Sequence, residues 1–424
     1  MRISVVAMGS RGDVQPMMVL ADELRTRGHE VTLGVPPDLV WMGISAGLRT
    51  ESIGPDIRPV LEVPEAREWL ASRDFRALGR RMEAMAREAG PQLIEDIPKV
   101  CADAEVMIAG VFADDIVLSC AEAAGVPFFA VHFAPYRPSS AYLPPVVTGR
   151  SLPGFLNLAG GHLFQSLCWA KFGGDPHGLR RRLGMGPTWR ATAVRMARRG
   201  DQTLQAFSPV VVPKLPARAS TPVVGFFSLR PELHQALGDA ALDDDLVKWI
   251  GSGESPVYVG FGSMPVADER VLDVVRTSAE RLGIRIVLSS GWSSVAATSD
   301  DRLRVVGKVD HDQVFPHCRA VVHHGGAGTT AAGLTVGAPT VVCSVFFDQP
   351  FWGSRVEQLG AGVHLCFKNL SVSTLCAALT SALEPTTVRA AARTGALLRE
   401  DRPGQCRSAD LIEAAALRNG AAVA

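Results

Sequence analysis

The chain has 424 residues, 47% of them hydrophobic and 20% charged, a globular composition too long for one compact core and suited to two domains. Lys plus Arg and Asp plus Glu each number 43, so the formal charge is zero and no general electrostatic case for a nucleic-acid partner exists. No run of 18 apolar residues is present and the opening stretch breaks at Gly9, so no spanning helix and no signal peptide are expected, and the expected compartment is the cytoplasm.

In chain order, residues 3–8 are a continuous apolar run, as in a strand buried on both faces. A small-residue loop follows, Gly9-Ser10-Arg11-Gly12-Asp13. A helix is predicted over 16–27, with Pro16 near its start and Met17, Met18, Leu20, Ala21 and Leu24 on one face. Gly28 suits the helix end, and 30–35 is the next strand. Residues 75–98 read as a polar helix, and 105–112 and 126–133 as strands around another helix. The stretch 135–174 is rich in Pro, Tyr, Phe and Gly with little periodicity, which predicts irregular loops and short helices around a pocket. Residues 176–200 hold seven arginines and no acid. The ordinary reading is a solvated helical face; the functional one is attraction to a membrane surface or an anionic acceptor.

A linker is expected near 213–222, where Pro, Ala and Ser gather. Strands then recur at 256–261, 284–289, 303–309, 319–323, 339–346 and 362–366, with helices at 266–282, 328–336, 349–359 and 371–383. A last helix is predicted over 405–418. Two blocks of alternating strand and helix make an α/β protein with two doubly wound parallel sheets, and ligands in such folds bind beyond the carboxyl ends of strands. The expected division is 1–213, a linker at 214–222, 223–395, and a helical segment 396–424 whose return onto the first domain periodicity leaves open. The eight cysteines show neither C-x-x-C nor zinc spacing, so free thiols are expected.

Three loops of small residues directly follow apolar strands: 9–13, Gly260-Phe261-Gly262-Ser263-Met264, and His323-His324-Gly325-Gly326-Ala327-Gly328-Thr329-Thr330. Small residues let a ligand approach the backbone, and exposed N–H groups at a helix start attract anions. The third loop, with His324 and Thr329 as added donors, is the strongest diphosphate candidate. It also matches a rival pattern, Gly326-x-Gly328-x-x-Ala331 with Asp348 twenty residues beyond Gly328, the fingerprint of an NAD-type or flavin oxidoreductase. The His323-His324 pair is foreign to that fingerprint, which usually opens a domain.

The motifs 9–16 (GSRGDVQP), 259–264 (VGFGSM), 289–292 (SSGW), 323–330 (HHGGAGTT) and 348–352 (DQPFW) occur in that order. Together they resemble the family 1 glycosyltransferases of GT-B fold, most closely the bacterial branch that glycosylates glycopeptide and macrolide antibiotics, with sterol and glycolipid glucosyltransferases as cousins. The resemblance is specific over 255–395 and good over 1–35, but only architectural between 36 and 220. It implies an N-terminal acceptor-binding domain, a C-terminal nucleotide-sugar domain, and inverting transfer of a hexose from UDP or dTDP to a hydroxyl of a lipophilic or polycyclic small molecule. No cofactor and no metal are implied, and the expected state is a monomer or weak homodimer with peripheral membrane contact left open.

By matched position, His324, Gly325, Gly326, Gly328, Thr329 and Ser263 would hold the diphosphate, with Ser10 and Arg11 approaching from the other domain. Trp292 and Val309 would meet the base, and Asp348 and Gln349 the sugar. Asp13 matches the general base of this branch; many relatives place a His near this position, and this chain has none. His132 and Phe133, with Phe155, Phe164, Trp169 and Phe172, would line the acceptor pocket.

Each assignment has a plainer counterpart. Asp13 as a helix N-cap with Pro16 at N3, Asp348 as an N-cap, Trp292 as packing, His323 as structural and His132 as a sheet cap are the ordinary readings. Asp310-His311-Asp312 resembles a metal-holding D-x-D but reads as a helix N-cap, Asp243-Asp244-Asp245 as a solvated helix start, and the Arg11-Gly12-Asp13 tripeptide as chance. Further alternatives are a nucleotide-sugar epimerase or hydrolase and a non-catalytic protein of the same fold.

Overall fold

The computed structural model describes residues 1–58, 75–146, 152–172, 178–238, 242–262, 269–290, 300–307 and 309–423. The first lobe opens with β1 (Arg2–Val6), α1 (Arg11–Thr26), β2 (Glu30–Val35), α2 (Val40–Ser45) and β3 (Arg49–Ser52). It continues through α3 (Phe75–Cys101), β4 (Val106–Gly110), α4 (Asp114–Ala124), β5 (Phe128–His132), α5 (Gly154–Phe172), α6 (Leu179–Arg182), α7 (Thr192–Arg199) and β6 (Gln202–Gln205). The six strands are parallel in the order β3-β2-β1-β4-β5-β6.

Helix α8 (Pro231–Ala236) packs Leu233 into the first lobe's core, and the second lobe holds α9 (Asp244–Gly251), β7 (Val257–Gly260), α10 (Glu269–Leu282), β8 (Ile286–Ser289), β9 (Leu303–Val306), α11 (His311–Val314), β10 (Ala320–His323) and α12 (Ala327–Val336). Then come β11 (Thr340–Ser344), α13 (Gln349–Gln358), β12 (Gly362–Cys366), α14 (Val372–Ala382), α15 (Pro385–Glu400) and α16 (Gly404–Val423). Its sheet order, β9-β8-β7-β10-β11-β12, repeats that of the first lobe. Both sheets therefore reverse direction beside their first strand, between β1 and β4 and between β7 and β10. In a doubly wound sheet that point opens a crevice at the strands' carboxyl ends.

Several expectations are corrected. Helix α1 begins at Arg11, five residues before Pro16, because Ser10 caps it and the Asp13 carboxylate accepts from the Ser10 N–H at 2.9 Å. Residues 11–13 are thus a first turn rather than a free loop. The stretch expected to be irregular contains the 19-residue α5. Its pattern is hidden because the face turned inward carries Asn157, Gly160 and Gly161, while leucines face out. Strands β3 and β6 were not expected; both are edge strands of four largely polar residues. Helix α15 was likewise not foreseen.

The arginine-rich segment is a solvated face in part: Arg181, Arg182, Arg190 and Arg198 are exposed, whereas Arg195, Arg180 and Arg199 turn inward to acids. Arg195 is only 4% exposed. It pairs with Asp115 at 2.8 Å and Glu122 at 2.9 Å and donates to Ser119 at 2.8 Å. Arg180 also meets Glu122, and Arg199 meets Asp201 at 2.6 Å. As expected, all eight cysteines are free. Among the described residues no helix is long and apolar enough to cross a membrane.

A shared apolar cluster and a returning helix are among the contacts that join the lobes. A hydrophobic cluster unites Tyr142, Phe207, Val211 and Val212 with Phe351, Trp352 and Val356 of the second lobe, and the buried Arg355 Nε donates to the Val211 carbonyl at 2.7 Å. Helix α16 then crosses back to pack on α1. Arg27 bridges to Asp410 at 2.8 Å and Glu413 at 2.9 Å, and Ala409 and Ile412 enter the first lobe's core.

Candidate functional site

The first lobe's switch point carries the first small-residue loop and the second lobe's carries the other two, and the helices that follow the first and third, α1 and α12, touch across the cleft. Gly9 follows β1 with φ +119°, and a Cβ there would lie 2.4 Å from the Asp13 carboxylate. Only glycine leaves room for that side chain. Asp13 is half-buried, and its Oδ2 accepts from the Ser10 N–H at 2.9 Å and Oγ at 3.1 Å. Burial pushes its pKa up to about 6; the Ser10 hydrogen bonds pull it down, and Asp348 adds a further upward push. Asp13 is the third helical residue rather than the N-cap, which is Ser10. Arg11 turns along α1 to Gln15 at 2.7 Å.

Asp348 comes from the opposite lobe, between β11 and α13. It occupies the N-cap position of α13 without a side-chain cap bond. Instead its Oδ2 accepts from the Trp352 indole at 2.9 Å. Burial raises this carboxyl too, to about 6, against that hydrogen bond. The preceding Phe347 has φ +51°, a left-handed conformation that costs a bulky residue energy and collects at functional positions. Its ring meets Phe112 of the first lobe edge-on at 6.4 Å. Gln349 is buried, and its Oε1 accepts from the N–H groups of Val345 at 2.8 Å and Phe346 at 3.2 Å. That side chain shapes the turn presenting Asp348.

In the third loop the two histidines divide their roles. His323 is fully buried, and its Nδ1 accepts from the Gly325 N–H at 2.9 Å, as a structural histidine would. Burial holds it far below its ordinary pKa. His324 is half-buried, with Nδ1 lacking a hydrogen-bond partner among the described residues. Burial lowers its pKa to about 4, so near pH 7 it is a neutral ring with one N–H to give. A Cβ at Gly326 would lie 2.6 Å from His324 Nε2, and one at Gly262 3.0 Å from Cε1. The second and third loops therefore close on one ring. Gly326 caps α12, whose first turn holds Gly328 and Thr329.

The acceptor-side residues are mixed. His132 is buried; its ring nitrogens lack hydrogen-bond partners among the described residues, with Nε2 3.7 Å from Asp114. Burial lowers its pKa. Its ring meets Tyr136 edge-on at 5.8 Å. Tyr136 was not foreseen: its hydroxyl pKa is raised by burial first, and then by both Asp348 and Asp13, so it belongs to their cluster. Phe133 alternates to the other side of β5, packing on the first lobe's core and on Phe227 at 6.1 Å. Phe164 and Trp169 are half-buried on α5, whereas Phe155 is 73% exposed and lines nothing. Ser263, Trp292 and the Phe172 side chain lie outside the described residues.

Asp310 caps α11 as expected, accepting from the Asp312 N–H at 2.9 Å, and Asp243 caps α9 in the same manner. His234 of α8 adds an unforeseen contact, 2.9 Å from Asp310 and 3.0 Å from Asp312. Among the described residues these three form the cluster compact enough to hold a cation. Half-buried Val309 precedes it. The dinucleotide-like pattern at 326–331 follows β10, the fourth strand of its lobe, whereas a dinucleotide fingerprint follows the first.

Residues 3–143 match the family model described as the glycosyltransferase family 28 N-terminal domain, and 273–414 that of the erythromycin biosynthesis protein CIII-like C-terminal domain. An uncharacterized glycosyltransferase of Mycobacterium tuberculosis is 34% identical over 99% of this chain and 100% of its own. The vancomycin aglycone glucosyltransferase of Amycolatopsis orientalis is 30% identical over 95% of each. Among solved structures, the glycosyltransferase VinC in complex with dTDP aligns with a TM-score of 0.63 and 17% identity, over 99% of this chain and 100% of its own.

Proposed function

Since this chain belongs to the glycosyltransferases of family 1/28 type and GT-B fold, we propose that it moves a hexose from a UDP- or dTDP-sugar to a hydroxyl of a lipophilic or polycyclic small molecule, with inversion and without a metal. The observation that carries the reading is the pairing across the cleft of two carboxyls. Asp13 from one lobe and Asp348 from the other lie close enough to raise the pKa of the first, and α1 meets the diphosphate-loop helix α12. Asp13 takes the proton of the acceptor hydroxyl as the oxygen attacks the anomeric carbon. Its raised pKa makes it a stronger base than an ordinary aspartate. The departing diphosphate is met by the N–H groups opening α12, by neutral His324 and by Thr329. Asp348 accepts hydrogen bonds from sugar hydroxyls. The dTDP held by VinC, whose fold this chain shares, and the vancomycin-type relative support the donor and acceptor classes.

The test is a thermal-shift series with UDP, dTDP and NAD in EDTA, followed by product analysis with matching glucose donors. Asp13→Asn is expected to lose about 10²–10⁴-fold in transfer while keeping nucleotide binding. His324→Ala is expected to lose both. Equal loss of nucleotide affinity in the Asp13 variant removes it as base, and stabilisation by NAD alone overturns the donor reading. A retained anomeric configuration in the product excludes single-step inversion. A sterol or glycolipid acceptor is the second reading, favoured by the apolar outward face of α5.

A further inference from the structure

We propose that the first lobe docks on the surface of an anionic lipid bilayer, through the outer face of α5 and the basic ridge formed by α6, α7 and the segment between them. Helix α5 has 19 residues and no carboxylate. Its inner side is fixed: buried Asn157 donates to the Ser140 carbonyl at 3.0 Å, and a Cβ at Gly161 would meet Pro138 at 3.0 Å. Its outer side is apolar and open to solvent, with Phe155, Leu156, Leu163 and Leu167 exposed by 73%, 43%, 61% and 60%. Leu152 continues the patch ahead of the helix. Exposed His162 and Ser166 lie among these apolar side chains, and with no acid on the helix this outer side suits contact with a lipid surface.

The charge beside it selects the occupant. The cavity on the ridge, about 540 Å3, is lined by Glu122 and by Arg180, Arg190, Arg195 and Arg198, with Trp189 among them. Glu122 is taken by Arg180 and Arg195. Arg190 and Arg198 are exposed and have no carboxylate partner among the described residues, as does Arg181. Trp189 is 85% exposed, an aromatic anchor of the sort that sits at lipid headgroups. Both patches adjoin α3: α5 packs on it, and Arg182 reaches its Glu95 at 3.7 Å. An apolar face and unpaired guanidinium groups, carried by two neighbours of α3, are together complementary to acyl chains and phosphate headgroups. The segment that α5 packs on also carries Tyr142 into the joint between the lobes. None of its exposed residues is assigned to donor binding or to the transfer step, so vesicle binding is read independently of both.

The experiment is co-sedimentation of the full chain with phosphatidylglycerol/phosphatidylcholine vesicles and with phosphatidylcholine alone. Wild type is expected to bind the anionic vesicles at least tenfold more strongly, and less at 0.5 M NaCl. Leu163→Glu/Leu167→Glu is expected to abolish binding, and Arg190→Glu/Arg198→Glu to weaken it by tenfold or more. All these side chains are exposed, so thermal unfolding and the nucleotide shift should remain as in wild type, and they report separately on the donor site. No binding to anionic vesicles, or equal binding by the Leu163/Leu167 variant, overturns the proposal. So does a dimer of the wild type in solution that the same variant splits into monomers, which assigns the face to a second copy of the chain.

Discussion

Asp13 and Asp348 are the residues on which pH acts most directly. Both carboxyls have folded pKa values near 6, above the ordinary 3.8, because burial disfavours their charged forms. The folded state then binds more protons than the unfolded one between about pH 4 and 6. Stability from these groups is present below pH 4, falls as pH rises to about 6, and is level above that. Transfer runs the opposite way, rising through pH 6 as Asp13 ionises. Asp13→Asn, an uncharged isostere, is expected to raise stability at pH 7.5 by about 1–3 kcal/mol while lowering the rate, which thermal unfolding and initial rates measure together. Gly326→Ala places a Cβ against the His324 ring, so it is expected to weaken dTDP or UDP binding about tenfold or more, measured by calorimetry with little change in melting temperature. Asp13 and His324 were legible in the sequence because each lies in a small-residue loop after an apolar strand. Tyr136 and the strained Phe347 were not, since each matters only through what the other lobe places beside it.

At the scale of elements, helix pattern and charge pattern gave opposite guidance. The central strands were readable as apolar runs, whereas β3 and β6 hid because edge strands carry polar residues. Helix α5 hid because its buried side is polar and small. Arg180 of α6 and Arg195 of α7 read as solvent-facing like their exposed neighbours because the acids that meet them, Glu122 and Asp115, lie on α4, some 60–80 residues earlier. Removing the buried cation alone leaves Asp115 without its ion-pair partner and Glu122 with Arg180 only. Arg195→Ala is therefore expected to destabilise by about 3–5 kcal/mol in urea unfolding, with the nucleotide site unchanged where the protein remains folded.

For the whole molecule, the repeated sheet order explains why the site was readable as a place before its residues were readable as neighbours. Two doubly wound sheets each point one switch point at the cleft, and the joint around Trp352 and Arg355 holds those points face to face. The last helix was foreseen, but not its host. Ile412 is fully buried in the first lobe's core, so Ile412→Ala is expected to cost about 2–5 kcal/mol and to loosen α1, read as faster proteolysis within the first lobe. The same crossing sets an order of events during synthesis. Every strand of the first sheet leaves the ribosome before any of the second, yet the apolar side of α1 has to wait for Ala409 and Ile412. Through the translation of the entire second lobe, the part of α1 that α16 later covers lacks its partner, so the first lobe's core is completed only when the chain's last helix is made.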